Sequence, residues 1–151
     1  MIFIDTDIFV IEKLFKDDNR YSTAKEFLNG DIKDKCTSIY NLFELLGIAS
    51  FNLNTSDLKK LLKGFPEVYD IKILFPSTAY ESPDAFIEQL FDKTFSKISL
   101  KMNFMDALIL SVAEEHNCSK FVTYNVKHFE GRTDIPVMTP DEILTRKKTG
   151  S

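Results

Sequence analysis

The stretch Ile2-Phe3-Ile4-Asp5-Thr6-Asp7, directly after the first methionine, decides the fold. Its three apolar residues form a short β-type run, and a run that is apolar on both faces is typical of a central strand with a layer on each side. The run ends at two acids separated by one threonine. Because ligand sites of open α/β sheets lie beyond the carboxyl ends of the strands, Asp5 and Asp7 are candidate site residues. Either of them is equally able to cap the helix that follows.

The rest of the chain alternates between strand-like and helical segments. Further strands are predicted at 35–38, 68–75, 120–124 and 135–138. The first helix is predicted to end near 15, and others to span 22–29, 39–51, 55–64, 86–95 and 104–116, with a last helix from 140. This alternation predicts an α/β fold, in which a mainly parallel sheet of five strands has helices on both faces. We expect one domain over residues 1–145 and a flexible tail over 146–151.

The composition narrows the class of protein. A chain of 151 residues, 44% of them apolar, is long enough for one domain with a buried core. Its formal net charge of −4 argues against a broad basic surface for nucleic acid, but acids that bind metal ions give the same excess. No apolar run approaches the roughly 20 residues of a membrane span. The N-terminus lacks the basic region of a signal peptide, so no membrane role is expected.

Histidine and cysteine are too few for several common sites. The two cysteines, Cys36 and Cys118, have no CxxC spacing, which argues against a structural zinc site or a disulfide framework and favours a reducing cytoplasm. The two histidines, His116 and His128, rule out a His-rich metal site.

Asp106 is the acid that the core pattern explains least. One helical turn places it on the face of Ile109, Leu110 and Ala113, in a helix that is apolar nearly all round. An unpaired carboxylate in such a helix is strongly unfavourable or has a raised pKa. The alternative is that Asp106 forms a capping box with Asn103, three residues earlier.

Glu44 repeats this pattern in the middle of a predicted helix, where no capping role is available. Its surroundings are mostly apolar, so either it has a function or it lies with Asn41 on a thin solvated stripe. Asn125 follows the strand that ends near Thr123, and its alternative role is that of a turn residue.

Taken together, these residues predict a metal site. Three carboxylates and an amide come from two strand ends and two helices around one edge of the sheet, and carboxylates packed together raise each other's pKa. A divalent cation removes that penalty. Ligand sets made of oxygen alone favour Mg²⁺ or Mn²⁺ over zinc. The chemistry that most needs such ions is phosphodiester hydrolysis.

The same residues resemble the PIN domain family, and within it the VapC-type toxins of toxin–antitoxin pairs. The matching segments, in chain order, are IFIDTD (2–7), NLFELLG (41–47), MDALIL (105–110) with Ala113, VTYN (122–125) with Phe129, and IPVMTPDEIL (135–144). The resemblance covers nearly the whole chain. It implies a three-layer α/β/α fold and a ribonuclease that depends on Mg²⁺ or Mn²⁺.

Carried over by position, the resemblance implies three metal-binding acids: Asp5, Glu44 and Asp106. Asn125 stands in the fourth catalytic place, where the family commonly has Asp. Its carboxamide keeps a carbonyl oxygen but lacks the charge, which weakens a second metal site, while three carboxylates suffice for one ion. Thr123 would help to hold this fourth position. Asp7 stands where Asn is frequent, and would bind a metal-bound water or cap the first helix.

The resemblance also implies partners. These are an RNA substrate, an antitoxin that covers the acidic groove with Arg or Lys against the carboxylates, and a second copy of the chain in a homodimer. Phe51, Phe91 and Phe95 are available for such contacts, although core packing is the expected use of each.

Two other functions stay open at this point. Asp5-Thr6-Asp7 resembles the motif of haloacid-dehalogenase-like phosphatases, with Asp5 as nucleophile and Asp7 as acid. Against this, Phe9 stands where Thr or Val is usual, and no later Gly-Asp pair followed by Asp is present. The second alternative is an interaction protein on the PIN fold whose catalytic site is weakened, which Asn125 favours.

Overall fold

A sheet of five parallel strands lies at the centre of the fold. In a computed structural model, which describes residues 1–149, the strands are β1 (Ile2–Ile4), β2 (Lys35–Ser38), β3 (Lys72–Leu74), β4 (Lys120–Val122) and β5 (Val137–Met138). Their order is β3-β2-β1-β4-β5, and each neighbouring pair is parallel. The predicted five-stranded sheet is confirmed, with β1 in the middle.

Helices cover both faces of this sheet. They are α1 (Thr6–Leu14), α2 (Tyr21–Asn29), α3 (Ile39–Ala49), α4 (Thr55–Tyr69), α5 (Pro83–Ser99), α6 (Phe104–Glu115), α7 (Val126–Phe129) and α8 (Pro140–Thr149). Because side chains alternate along a strand, Ile4 and Val122 face one core with α1 to α4. Phe3 and Phe121 face a second core with α6, and their rings stack with centroids 5.1 Å apart. The three layers expected from the sequence are therefore present.

The parallel sheet gathers polar residues at one edge. Asp5 follows β1, Ser38 ends β2 and Thr123 follows β4. The backbone N–H of Asp5 also donates a hydrogen bond to the carbonyl of Val122, which continues the pairing of β1 with β4 beyond Ile4. Since neighbouring parallel strands end at the same edge, Asp5, Ser38 and Thr123 are brought together.

Helix α4 is longer than predicted. It passes Gly64 and ends at Tyr69, because Phe65 and Tyr69 pack on Phe9 with ring centroids 4.9 and 5.3 Å from it. This aromatic contact joins α4 to α1 and holds the last turn of the helix in place. The prediction of a strand from residue 68 was wrong in its start, since β3 begins at Lys72.

Helix α8 continues past the predicted domain boundary. It runs to Thr149, so residues 146–149 are helical where the sequence predicts a flexible tail. The ammonium of Lys147 donates a hydrogen bond to the backbone carbonyl of Asp31, which ties this helix to the segment after α2. The last two residues of that predicted tail, Gly150 and Ser151, lie outside the described residues.

Three phenylalanines correct the expectation of core packing. Phe51, Phe91 and Phe95 are 89%, 66% and 70% exposed. Phe91 and Phe95 lie about one turn apart on α5, a helix that also packs against α6. Helical spacing of apolar residues marks an apolar face, but a partner can cover such a face as well as the chain's own core.

Over residues 1–149, none of the helices combines the length and the apolar character needed to cross a lipid bilayer.

Candidate active site

Asp5 lies at the carboxyl end of β1 and is only 5% exposed. It caps α1, because its Oδ1 accepts a hydrogen bond of 2.8 Å from the backbone N–H of Thr6. The capping role that the sequence offered as an alternative is therefore present. It does not exclude ligand binding, since a carboxylate has about four lone-pair sites and the cap uses one of them.

A buried amide from α3 holds the same carboxylate. Asn41, 1% exposed, lies 2.9 Å from Thr6 Oγ1 and 3.3 Å from Asp5 Oδ1 through its Nδ2. Its own Oδ1 accepts a hydrogen bond from the backbone N–H of Ser38, and Ser38 Oγ in return accepts from the N–H of Asn41. This capping box fixes the start of α3 against Asp5. Asn41 is thus buried, and the interpretation of it as part of a solvated stripe was wrong.

Thr123 links the two acids of the first motif. Its hydroxyl lies 2.9 Å from Asp5 Oδ2 and 3.0 Å from Asp7 Oδ2. A hydroxyl has one proton, so it can donate to only one of these carboxylates at a time. The same oxygen accepts a hydrogen bond from the backbone N–H of Asn125 at 3.0 Å, which supports the predicted role of Thr123 in holding the segment after β4.

Burial raises the pKa of both Asp5 and Asp7. Burial, and then the nearby charge of Asp7, raise the pKa of Asp5 well above its ordinary value. Burial likewise raises the pKa of Asp7 to about 6, although hydrogen bonds from the Tyr124 N–H and from Thr123 oppose this shift. Asp7 Oδ1 is buried and has no hydrogen-bond partner among the described residues. Negative charge is therefore concentrated here without a compensating partner for every oxygen.

Asp106 and Glu44 bring further carboxylates to this edge. Asn103 caps α6, since its Oδ1 accepts a hydrogen bond of 2.9 Å from the backbone N–H of Asp106, and its Nδ2 donates one of 2.6 Å to Asp106 Oδ2. The second bond joins two side chains, whereas the predicted capping box would use the backbone N–H of Asn103. Burial raises the pKa of Asp106, against the lowering effect of His128. Burial also raises the pKa of Glu44, and the charge of Asp106 adds to the shift, while a hydrogen bond with Thr6 opposes it. The two acids are close enough to influence each other.

Asn125 and His128 lie at the mouth of the site. Asn125 precedes α7 and is exposed, and its side chain makes no capping bond to that helix. His128, on α7, has its Nδ1 3.5 Å from Asp106 Oδ2. The sequence indicated a surface histidine, and its 60% exposed side chain agrees, but the contact with Asp106 also places it at the site.

These residues line one pocket of about 400 Å³. Its polar lining includes every residue predicted for the site except Thr123, which lies behind Asp5: Asp5, Asp7, Glu44, Asp106 and Asn125. The rest of the wall consists of three further polar residues, Thr6, Asp18 and Arg20, and four apolar ones: Val10, Ile11, Phe15 and Ile48. The predicted acids, which are far apart in the sequence, therefore share one cavity.

Arg20 is a pocket residue that the sequence did not reveal. Its guanidinium lies beside Asp18 in a bidentate contact, with distances of 2.9 Å from Nε and 2.7 Å from the terminal nitrogen. It also lies over the ring of Tyr124, 5.3 Å from the centroid. The bond to Asp18 raises the pKa of Arg20, and the charge of Asp7 contributes to the shift. The turn at 17–19 gave no signal for this cation, because its place depends on packing against Tyr124.

The pocket matches a hard divalent cation in its chemistry. Carboxylate oxygens predominate, the pKa values of Asp5, Asp7, Glu44 and Asp106 are raised, and Asp7 Oδ1 is a buried oxygen without a partner among the described residues. These features favour Mg²⁺ or Mn²⁺. Within residues 1–149, however, no three carboxylate, histidine or cysteine side chains are arranged as a finished ligand set. The fit is therefore one of charge and donor type, and the side chains must converge further to bind an ion.

Comparison with known proteins identifies the family. The family model of the PIN domain matches residues 2–131. Among curated proteins, none matches the sequence significantly.

Solved structures show the same fold at low sequence identity. The chain resembles the structure of VapBC-1 from nontypeable Haemophilus influenzae with a TM-score of 0.64 and 20% identity, covering 93% of this chain and 99% of that one. The chain resembles a toxin–antitoxin complex from Klebsiella pneumoniae with a TM-score of 0.60 and 19% identity, over 93% of this chain and 98% of that one. The chain also resembles VapC20 of Mycobacterium tuberculosis, a toxin that cleaves the sarcin–ricin loop, with a TM-score of 0.60 and 16% identity, over 80% of this chain and 87% of that one.

Proposed function

Because the chain belongs to the PIN domain family, we propose that it is a VapC-type ribonuclease that requires Mg²⁺ or Mn²⁺. The observation that carries this proposal is the shared pocket of Asp5, Glu44 and Asp106, whose pKa values are all raised by burial. Buried carboxylates that cluster together are costly for a folded protein, and binding a cation offsets this cost.

Each site residue has a distinct part in this proposal. Asp5, Glu44 and Asp106 would hold the ion, which when bound lowers the pKa of a coordinated water and offsets charge on the phosphodiester. The Asn125 carboxamide, at the pocket mouth, is a neutral donor and acceptor for the substrate. Thr123 keeps the Asp5 carboxylate in one orientation, as its hydrogen bond of 2.9 Å requires.

The structural neighbours support an antitoxin as a partner, since two of them are toxin–antitoxin complexes. An acidic pocket with an open mouth suits a cationic side chain of such a partner, which would displace the metal ion and the substrate together. We place the activity in the cytoplasm, in keeping with two cysteines that are both free thiols.

A second copy of the chain is the proposed cover for α5. Four large apolar residues on this helix are exposed by 41% to 70%: Ile87, Phe91, Phe95 and Ile98. Their spacing of four, four and three residues places them on one face. Such a continuous apolar stripe is typical of an interface, and homodimerisation would bury it. Sedimentation of Phe91→Asp beside the unmodified chain tests this, because a charge at the centre of the stripe should favour the monomer.

Cleavage of RNA by Asp106→Asn tests the enzymatic proposal directly. The change keeps an oxygen to accept the Asn103 bond but removes the charge, so folding should be retained while activity falls by about 100-fold or more. Asp92→Asn, an exposed acid on α5, is the matched control and should cleave normally. EDTA should abolish cleavage by the unmodified chain, and Mg²⁺ or Mn²⁺ should restore it. Full activity of Asp106→Asn would contradict the assignment.

The same experiment separates the two alternatives. A weakened PIN protein that acts only by binding would neither cleave RNA nor bind Mn²⁺ at millimolar concentration. A phosphatase would trap a phosphoryl group on Asp5, which mass spectrometry detects. Membership of the PIN family and the three hydrogen bonds already made by the Asp5 carboxylate disfavour a nucleophilic role for it.

A further inference from the structure

The two cysteines lie side by side although they are far apart in the sequence. Cys36 Sγ and Cys118 Sγ are 3.7 Å apart, and both are free thiols. Cys36 is fully buried and Cys118 is 5% exposed. Neither has a part in the proposed nuclease chemistry. A separation of 3.7 Å brings the two sulfurs into contact, but it is larger than a disulfide bond of about 2 Å, so the side chains must move closer before a bond can form.

The pair lies at the edge of the sheet opposite to the acids. Cys36 is the second residue of β2, and Cys118 lies just before the start of β4. Strand β1 runs between these two strands, and Phe3 pairs with Cys36 in the register. A bond between the two sulfurs would therefore cross β1 and join its two neighbours at their amino-terminal ends.

The two thiols are not equivalent. Their hydrogen bond, followed by burial, raises the pKa of Cys36, and the same bond lowers the pKa of Cys118. Either sulfur can donate the hydrogen bond that joins them. A surface groove of about 560 Å³ between the end of α6 and residues 133–136 has Cys118 in its wall. Cys118 thus combines a lowered pKa with a place in the wall of a surface groove, and both properties favour oxidation of a cysteine.

We propose that Cys36 and Cys118 form an oxidation site, at which a hydroperoxide converts the two thiols into an intramolecular disulfide. This site is separate from the proposed ribonuclease activity and does not rest on it. Hydrogen peroxide is close to water in size, and the volume of the groove, about 560 Å³, is far larger than that.

The reaction balances in two steps. The Cys118 thiol releases its proton, and the thiolate attacks one peroxide oxygen as the O–O bond breaks; the hydroxide that leaves takes up that proton to become water, and Cys118 becomes a sulfenic acid. The Cys36 sulfur then attacks the Cys118 sulfur, the S–O bond breaks, and the departing hydroxide takes the Cys36 proton as a second water. Two electrons pass from the two thiols to the peroxide.

The disulfide should stabilise the fold. It closes a loop of about 80 residues, from β2 to the start of β4, and so restricts the unfolded chain. We expect the thermal midpoint to rise by about 5 to 10 °C after oxidation, and to return on addition of dithiothreitol. Methionine oxidation would not be reversed by this reagent, which separates the two effects.

The test oxidises the purified full-length chain with hydrogen peroxide under native conditions. Mass spectrometry without reduction should find a monomer that has lost two hydrogens, with peptides containing Cys36 and Cys118 joined. Thiol titration in denaturant should fall from two groups to none. Persistence of both thiols, or a disulfide only between two copies of the chain, would overturn the proposal.

Single variants test the order of the steps. In Cys36→Ser, dimedone should label Cys118, because its sulfenic acid has no second thiol to resolve it. In Cys118→Ser, Cys36 should remain unlabelled, because it is fully buried. Neither variant should gain thermal stability on peroxide treatment. Equal gains in the single variants and the unmodified chain would show that no bond between the two cysteines is involved.

Discussion

Replacing Asp7 by Asn should change how the stability of the fold depends on pH. Asp7 has a pKa of about 6 in the folded protein, chiefly because of burial, against an ordinary value of 3.8. Between these two values the folded chain binds more protons than the unfolded chain, so the free energy of unfolding falls as pH rises from about 4 to about 6. Above about pH 6 the free energy of unfolding is lowered by the full amount, and below about pH 4 it is not lowered at all.

The magnitude follows from the size of the shift. The difference between about 6 and 3.8 is about 2 pKa units, and each unit corresponds to about 1.4 kcal/mol. Ionised Asp7 therefore destabilises the metal-free fold by about 3 kcal/mol at neutral pH. Its charge is also one cause of the raised pKa of Asp5, so removing it relieves Asp5 as well. Asn cannot ionise and keeps an oxygen to accept the Tyr124 N–H.

Urea unfolding in EDTA, from pH 4 to pH 8, measures this effect. The stability of Asp7→Asn relative to the unmodified chain should increase by about 3 kcal/mol across the range. The new amide group, whose hydrogens lie near the position of the unpartnered Asp7 Oδ1, should also change the free energy of unfolding by the same amount at every pH. This constant difference does not affect the pH dependence that the experiment compares. Asp92→Asn controls for the loss of one acid. Parallel curves for Asp7→Asn and the unmodified chain would refute a desolvated charge at Asp7.

Three further outcomes are expected. Mg²⁺ at 100 times its dissociation constant should stabilise the chain by about 3 kcal/mol at pH 7.5, as measured by thermal unfolding. This gain should be smaller at pH 5, where Asp7 takes up a proton, and it should be absent in Asp5→Asn. Thr123→Val should lower the free energy of unfolding by about 1 to 3 kcal/mol, since the carboxylates lose a donor and the Asn125 N–H loses its acceptor. Tyr69→Phe should lower the free energy of unfolding, measured in urea, by about 1 kcal/mol, because the Tyr69 hydroxyl donates a 2.6 Å hydrogen bond to Glu12. An unchanged free energy of unfolding would mean that water replaces this bond.

Local patterns in the sequence singled out the acids that line the candidate site. Asp5 follows a strand that is apolar on both faces, and Asp106 interrupts a helix that is otherwise apolar, so each stands out within a few residues of its own position. The parallel sheet then brings them together without any further information. Local patterns also predicted the order of strands and helices along the chain, but often not the residues at which they begin and end.

Residues that depend on distant packing were missed. Asn41 meets Asp5 across 36 positions of sequence, and Arg20 reaches the pocket by lying over Tyr124. The end of α4 depends on the ring of Phe9, which is remote in the chain. No periodicity within one helix contains these contacts. The exposed face of α5 shows the same limit, since an apolar stripe has one pattern whether the chain or a partner covers it.

In the proposed function, Asp5 and Asp106 combine capping with ligand binding. Asp5 caps α1 and Asp106 takes part in the cap of α6, and both line the pocket. A cap restricts the rotamer of its side chain, and a metal ligand needs that restriction to present its free oxygens in one direction. The bonds that make each acid look structural are therefore the ones that position it.

This argument predicts a difference between two matching caps. Asn103 holds Asp106 by bonds of 2.9 and 2.6 Å, and Asn54 holds Asp57 at the start of α4 by bonds of 3.0 and 2.9 Å, away from the site pocket. Asn103→Ala and Asn54→Ala should each lower the free energy of unfolding by about 1 kcal/mol. Asn103→Ala alone should slow RNA cleavage, by about 10-fold to 100-fold, because it leaves a ligand present but misdirected. Equal activity of the two variants would mean that the cap does not orient Asp106.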